Sequence, residues 1–193
     1  MGFYSSLSFW GNISNNKKMK SKKLFYLTLF FIGFVFSVLM ISLNKDTYYK
    51  NEQLVTKNIL NFSSSELFSN QKFEFADIGN KKEFIILNIW ASWCTPCRTE
   101  HKILSEIGNF NNVELIGLNY KDKIENAKMF VNELGNPYDL ILTDPKGLIA
   151  IEFGAYGVPE TYIIDNKNKK ILKKYIGPIN DNILSEIKTF LEL

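Results

Sequence analysis

Cys94 and Cys97 are the only cysteines in the 193-residue chain, and they are spaced for chemistry within Trp90-Ala91-Ser92-Trp93-Cys94-Thr95-Pro96-Cys97. Two thiols separated by two residues, after an apolar run and before a helical pattern, form a strand-to-helix redox turn. The chemistry that suits them is dithiol–disulfide exchange. At the first turn of a helix the backbone N–H groups lack intrahelical partners and the macrodipole is positive, so a thiolate at Cys94 is stabilised. Its pKa is expected to fall from the free-cysteine value of roughly 8.5 toward the range of about 3.5 to 7.5 found in such motifs. Cys97, one turn later on the same face, can then attack a mixed disulfide formed by Cys94. Pro96 suits the first turn because its missing N–H would have had no helical acceptor there.

Two other uses of the motif fit poorly. A tetrahedral zinc site needs four ligands, and the chain offers no further cysteine and one histidine, His101. Haem attachment requires histidine directly after the second cysteine, where Arg98 stands. His101 lies within one helical turn of Cys97 and could tune the thiols, but an ordinary place on the helix surface is the expectation.

The elements that position the pair can be read from the pattern around it. The run 84–90 reads as a fully buried strand and 95–109 as the helix that follows, with a second buried strand over 113–119. Two parallel strands joined by a helix make a right-handed βαβ unit whose C-terminal edge carries the redox turn. Residues 72–77 alternate with period two as a half-buried strand would. Farther on, 122–134 has helical spacing and stops at Gly135, with Pro137 beyond it. A strand over 139–143, a short helix over 146–153 and an antiparallel hairpin over 161–165 and 170–176 follow. An amphipathic helix over 181–191 closes the chain, with Ile183, Leu184, Ile187, Phe190 and Leu191 inward. Lys167, Lys169, Lys170, Lys173 and Lys174 are expected to form a solvated hairpin edge rather than a binding patch.

Before this domain the composition changes. Residues 24–43 carry no charge, and about 20 residues at ~1.5 Å each cover a ~30 Å hydrocarbon core, longer than the apolar part of a cleaved signal. No small-x-small cleavage site follows, so an uncleaved anchor is expected. Lys17, Lys18, Lys20, Lys22 and Lys23 precede it, which places the N-terminus in the cytoplasm and the remainder outside. Met19 with Lys20, Lys22 and Lys23 also has the look of a start followed by a charged segment, and residues 1–18 show no period and are assigned no fold. Residues 44–65 are polar and suit a tether, so the expected organisation is 1–23 cytoplasmic, 24–43 anchor, 44–65 tether and 66–193 globular domain. The formal charge of +3 comes from the lysines before residue 24, which face no acidic residue there, and nothing in the rest suggests nucleic acid.

Four blocks in order resemble the thioredoxin superfamily and, within it, the membrane-anchored DsbE/CcmG proteins of cytochrome c maturation. They are Leu87-Asn88-Ile89-Trp90-Ala91-Ser92-Trp93-Cys94 with Cys97-Arg98-Thr99-Glu100-His101, then Gly117-Leu118-Asn119-Tyr120-Lys121-Asp122, then Leu134-Gly135-Asn136-Pro137-Tyr138, then Gly154-Ala155-Tyr156-Gly157-Val158-Pro159-Glu160-Thr161. The resemblance implies a thioredoxin-like α/β fold, a central mixed sheet with helices on both faces, over about 66–193. It implies a cis bond between Val158 and Pro159, with Trp93, Val158 and Pro159 forming the edge where an extended substrate docks. Thioredoxins carry a buried aspartate six residues before the first cysteine; here it is the neutral Asn88, so another acid must manage the proton of the second thiol. Glu160 resembles the family's acidic active-site residue and is the candidate for tuning Cys97 or contacting substrate.

The function implied is a periplasm-facing, inner-membrane thiol:disulfide oxidoreductase that reduces the CxxCH cysteines of apocytochrome c, with Cys94 as nucleophile and Cys97 as resolving thiol. A DsbD- or CcdA-like membrane protein would return it to the dithiol state, haem lyase components are further expected partners, and no cofactor or metal is called for. The alternatives are a general exported reductase of the TlpA or ResA kind, a thiol oxidase, and a redox-inactive module that holds apocytochrome.

Overall fold

The computed structural model describes residues 7–43, 62–78 and 82–192, and these fall into two units divided near residue 50. The described residues of the first unit form one helix, α1 (Leu7–Leu43). Its stretch Lys22–Ile41 has a mean hydropathy of 2.5 and is long and apolar enough to cross a membrane. The helix begins well before the expected anchor, inside the segment that was assigned no fold; no proline interrupts residues 7–43 to stop it earlier.

The second unit is built on a five-stranded sheet in the order β5-β4-β3-β6-β7. Its members are β3 (Phe84–Trp90), β4 (Val113–Tyr120), β5 (Leu140–Asp144), β6 (Glu160–Asp165) and β7 (Lys170–Ile176). β3, β4 and β5 run parallel, while β6 is antiparallel to both β3 and β7. This is the central mixed sheet that the resemblance implied. β3 lies in the middle, covered on both faces, which is why Phe-Ile-Ile-Leu-Asn-Ile-Trp reads as a continuous run instead of alternating.

One face of the sheet is covered by α2 (Thr95–Ile107), α3 (Ile124–Leu134) and α5 (Asp181–Phe190). Ile86, Trp90, Leu104, Ile107, Phe130, Val131, Leu184 and Ile187 pack there together with both cysteines. The other face is covered by α4 (Leu148–Glu152) and a 3-10 turn at Phe75–Asp77. There Phe62, Phe75 and Phe153 meet ring to ring over Ile85, Leu87, Ile89 and Tyr162.

Several boundaries differ from those expected. Ser63–Ser65, read as the end of the tether, forms β1 and pairs with β2 (Lys72–Glu74). Ser64 Oγ donates to Thr143 O at 2.7 Å, so three serines that look like linker become sheet by pairing. Residues 44–61 of the expected tether lie outside the described residues. The alternating run at 72–77 is strand only through Glu74. Phe190, expected inward, stays 40% exposed beneath the Lys173 ammonium.

Candidate active site

The redox turn sits at the C-terminal end of β3, where Cys94 is the N-cap of α2. Its Sγ accepts the Cys97 N–H at 3.2 Å, in the place a capping oxygen takes in other helices. Cys94 and Cys97 are joined as a disulfide with their Cα atoms 5.3 Å apart. The same N–H points at Sγ where negative charge would develop on reduction, which is the physical basis of a favoured Cys94 thiolate.

The turn that presents Cys94 is clamped to the end of β4. Asp122 accepts from Ser92 N at 2.6 Å, Ser92 Oγ at 2.8 Å, Asn119 Nδ2 at 3.1 Å and its own neighbour Lys123 N at 2.8 Å. The Trp93 indole donates to Lys121 O at 3.2 Å while the side chain stays 58% exposed beside Cys94. Asp122 belongs to a block named for its likeness alone, and its role was not read from the sequence.

Asn88 points from β3 into the layer that holds the cysteines. Its Nδ2 donates to Glu100 Oε1 and to Thr161 Oγ1, each at 3.0 Å, and its Oδ1 accepts from the Tyr138 hydroxyl at 2.9 Å. Glu100 is fully buried, and its second oxygen accepts Ile179 N at 2.8 Å. Burial pushes its carboxyl up to about 7, against the pull of the Ile179 and Asn88 donors. Glu100 stands three residues after Cys97, hence on the same face of α2, where Cβ atoms lie about 5 to 6 Å apart. Glu100 is a buried acid in the cysteine layer to which sequence reasoning gave no role. The available signal was its spacing: residues 97, 100, 101, 104 and 107 make one inward stripe, and Glu100 is the carboxylate on it.

His101 is on that stripe too, which corrects the expectation of a surface position. It is buried, Nε2 meets Gly135 O at 2.9 Å, and the ring packs edge-on against Phe130. Burial holds its pKa below the ordinary value, opposed by the Gly135 contact and helped by the nearby Arg98 charge. Arg98 itself faces outward, joined to Glu133 by two bonds of 2.9 and 3.0 Å that tie α2 to α3.

The Val158–Pro159 bond is cis, as the resemblance implied; Pro159 is buried and Val158 half-buried. Glu160 follows directly, but its partners are not the thiols. It pairs with Ile89 across the strands, so its side chain lies in the layer opposite the one that holds Cys97. One oxygen accepts Tyr156 N at 2.7 Å and Gly157 N at 3.2 Å, and the other accepts the Tyr162 hydroxyl at 2.8 Å. Lys174 Nζ stands 2.8 Å from that second oxygen with both side chains nearly fully buried, and it also donates to Gly154 O at 2.8 Å. Lys174 thus leaves the solvated edge expected of it. Lys169 is likewise turned in, bonded to Ile78 O and Asn166 Oδ1. Among the described residues no group of three or more His, Cys, Asp or Glu side chains is placed to hold a metal ion.

A buried cysteine pair at a helix N-terminus, with an exposed tryptophan next to it in the chain and a buried acid three residues along the same helix face, can exchange disulfides. Comparison with known proteins agrees. The model of the AhpC/TSA family matches residues 55–173. The chain is 34% identical over 171 residues to the thiol:disulfide interchange protein DsbE of Haemophilus influenzae, covering 87% of this chain and 93% of that one. It is 35% identical over 133 residues to DsbE of Escherichia coli K12, covering 69% and 71%. Among solved structures it resembles dsbF of MTB, seen in mixed oxidized and reduced forms, with a TM-score of 0.60 at 21% identity over 70% of this chain and 98% of that one.

Proposed function

This chain belongs to the thioredoxin-like AhpC/TSA family and, within it, to the DsbE thiol:disulfide interchange proteins, and from that premise we propose that it reduces the cysteine pair of CxxCH haem-binding segments in apocytochrome c. Its activity is dithiol–disulfide exchange. The observation that carries the reading is the Cys94–Cys97 pair capping α2, with a buried carboxyl, Glu100, one turn along the same face.

In the reduced protein the Cys94 thiolate attacks one sulfur of the substrate disulfide. The second substrate sulfur leaves as a thiolate, and a mixed disulfide remains. Glu100, as carboxylate, takes the proton of Cys97, whose sulfur then attacks Cys94 Sγ. The first substrate sulfur leaves as a thiolate, two electrons have passed to the substrate, and the Cys94–Cys97 disulfide has formed. A carboxyl that titrates near neutrality is matched to receiving and returning that proton.

Trp93, Val158 and Pro159 form the docking edge in this reading, and Glu160 serves it from behind by holding the amides of Tyr156 and Gly157. The apolar part of α1 anchors the chain in the inner membrane, with residues 1–23 cytoplasmic and the domain, which includes Phe62 and β1, in the periplasm. Because that compartment is oxidising, a DsbD- or CcdA-like membrane protein returns Cys94 and Cys97 to the dithiol state, and haem lyase components receive the reduced apocytochrome.

The test is the reduction potential of the full chain in detergent, equilibrated against glutathione or dithiothreitol, together with its rate on an oxidised CxxCH peptide. A value near roughly −270 mV or modestly above it supports a reductant, and one near about −120 mV makes the protein an oxidant. A reducing potential with no preference for the CxxCH peptide over an unrelated disulfide would point to a general exported reductase.

A further inference from the structure

Tyr138 lies between Pro137 and β5 and is 5% exposed. Its ring stacks on Trp90, with centroids 5.8 Å apart and planes at 13°, and it passes over Gly117, where a Cβ would come within 3.1 Å of it. The ring is therefore held, and its hydroxyl donates to Asn88 Oδ1 at 2.9 Å.

That bond decides more than its own geometry. A carboxamide has an oxygen and a nitrogen of nearly equal size, so rotating it by half a turn exchanges acceptor and donor at little steric cost. In the rotated form Asn88 Nδ2 would face the Tyr138 oxygen, and the hydroxyl proton would lose the acceptor it has here. With the hydroxyl donating, Oδ1 is held toward Tyr138, and Nδ2 is left to donate to Glu100 Oε1 and Thr161 Oγ1.

We propose that Tyr138 is a positioning residue, which by donating to Asn88 Oδ1 locks the amide with its N–H toward Glu100 and so keeps Glu100 a hydrogen-bond acceptor able to take the proton of Cys97. The proposal rests on the reading of Glu100 as the proton partner of Cys97. A donor facing a carboxylate favours its ionised form, and a carbonyl facing it favours the protonated form. Tyr138 thereby sets Glu100's titration from the far side of Asn88. The titratable groups near Glu100 are Cys97 and His101 on its own helix and Tyr138 from the loop before β5. The sheet contributes the neutral Asn88 and Thr161, and the segment before α5 contributes the Ile179 N–H.

The experiment uses the full chain in detergent micelles with carbon-13-labelled glutamate, comparing wild type, Tyr138→Phe and Glu100→Gln. The readouts are the titration of the Glu100 carboxyl and the pH profile for Cys97 resolving a mixed disulfide between Cys94 and glutathione. Tyr138→Phe keeps the stacked ring and is expected to move both midpoints up by about one unit, a change that lost packing alone would not produce. Unmoved midpoints in Tyr138→Phe overturn the proposal. If Glu100→Gln keeps the wild-type profile, the Glu100 reading fails and the functional half of this proposal fails with it; if it abolishes the profile, that reading stands whatever Tyr138→Phe does. Should Tyr138→Phe not fold, the Asn88 side-chain amide of the wild type decides: its nitrogen-15 shift is expected to follow the Glu100 titration, and indifference to that titration overturns the lock.

Discussion

The Glu160 carboxylate and the Lys174 ammonium lie 2.8 Å apart behind the Val158–Pro159 loop, with 1% and 2% of their side chains exposed. Together they bond Gly154 O, Tyr156 N and Gly157 N, so one buried ion pair holds three backbone groups of the segment that leads into Val158 and Pro159.

Removing one member of such a pair leaves the other charge buried, at a cost of about 3 to 5 kcal/mol. Lys174→Met is expected to destabilise the protein by that order, measured by chemical denaturation of the oxidised chain. Glu160→Gln keeps an oxygen for the Tyr156 and Gly157 amides and is expected to cost less. Because Glu160 faces the layer opposite Cys97, neither substitution should move the Cys94–Cys97 potential or the thiol pKa values. A shifted Cys97 pKa in Glu160→Gln would instead tie Glu160 to the thiol.

Asp122 gathers three donors from the turn before Cys94 and the end of β4, and a fourth from its neighbour Lys123 N. Asp122→Ala strands the Ser92 and Asn119 groups in a part-buried site, worth about 1 to 3 kcal/mol. The expected result is a lower thermal midpoint together with slower exchange on a peptide disulfide, since Ser92 and Trp93 lose their anchor. Asp122→Asn, which keeps one acceptor oxygen, should recover part of both.

Glu100 and His101, neighbours on α2, should give the fold opposite pH dependences. Burial raises Glu100 from 4.5 to about 7, so its contribution is complete below about pH 4.5 and is lost as pH rises through 7. The loss amounts to about 3 kcal/mol at most. Burial lowers His101, so its contribution is present above the ordinary value of 6.5 and is lost as pH falls through the depressed one. Denaturation of the oxidised protein across pH should therefore show wild type losing ground to Glu100→Gln toward the alkaline side and to His101→Gln toward the acid side. A flat wild-type-minus-Glu100→Gln curve would mean that Glu100 is not held protonated in the fold.

The features legible in the chain were those carried by near neighbours. Cys94, Thr95, Pro96 and Cys97 define a helix start and a dithiol by spacing alone, and the structure places them there. The runs at β3 and β4 announce buried parallel strands because both faces of each are apolar. Ser63–Ser65 failed the same test, since serines carry no period and become a strand only by pairing with Lys72–Glu74. His101 was misjudged because a polar type suggests an exposed place, whereas its phase along α2 with Leu104 and Ile107 turns it inward, and Glu100 on the same stripe received no role at all.

Sequence by itself therefore determined the redox pair, its place at the end of a strand, the uncharged helix and, through four ordered blocks, the family. Each of these is written in residues close together in the chain, where spacing and hydrophobic period act directly. Only the tertiary structure decided which acid shares the layer of the thiols, because that depends on what faces what across the sheet. Register puts Asn88 opposite Thr161 and Ile89 opposite Glu160, so alternation sends Asn88 toward Glu100 and the cysteines and Glu160 toward Lys174 in the other layer. A one-residue slip of β6 against β3 would carry Glu160 into the layer of the cysteines and Thr161 out of it, away from Asn88, and that long-range pairing is a property no local spacing records.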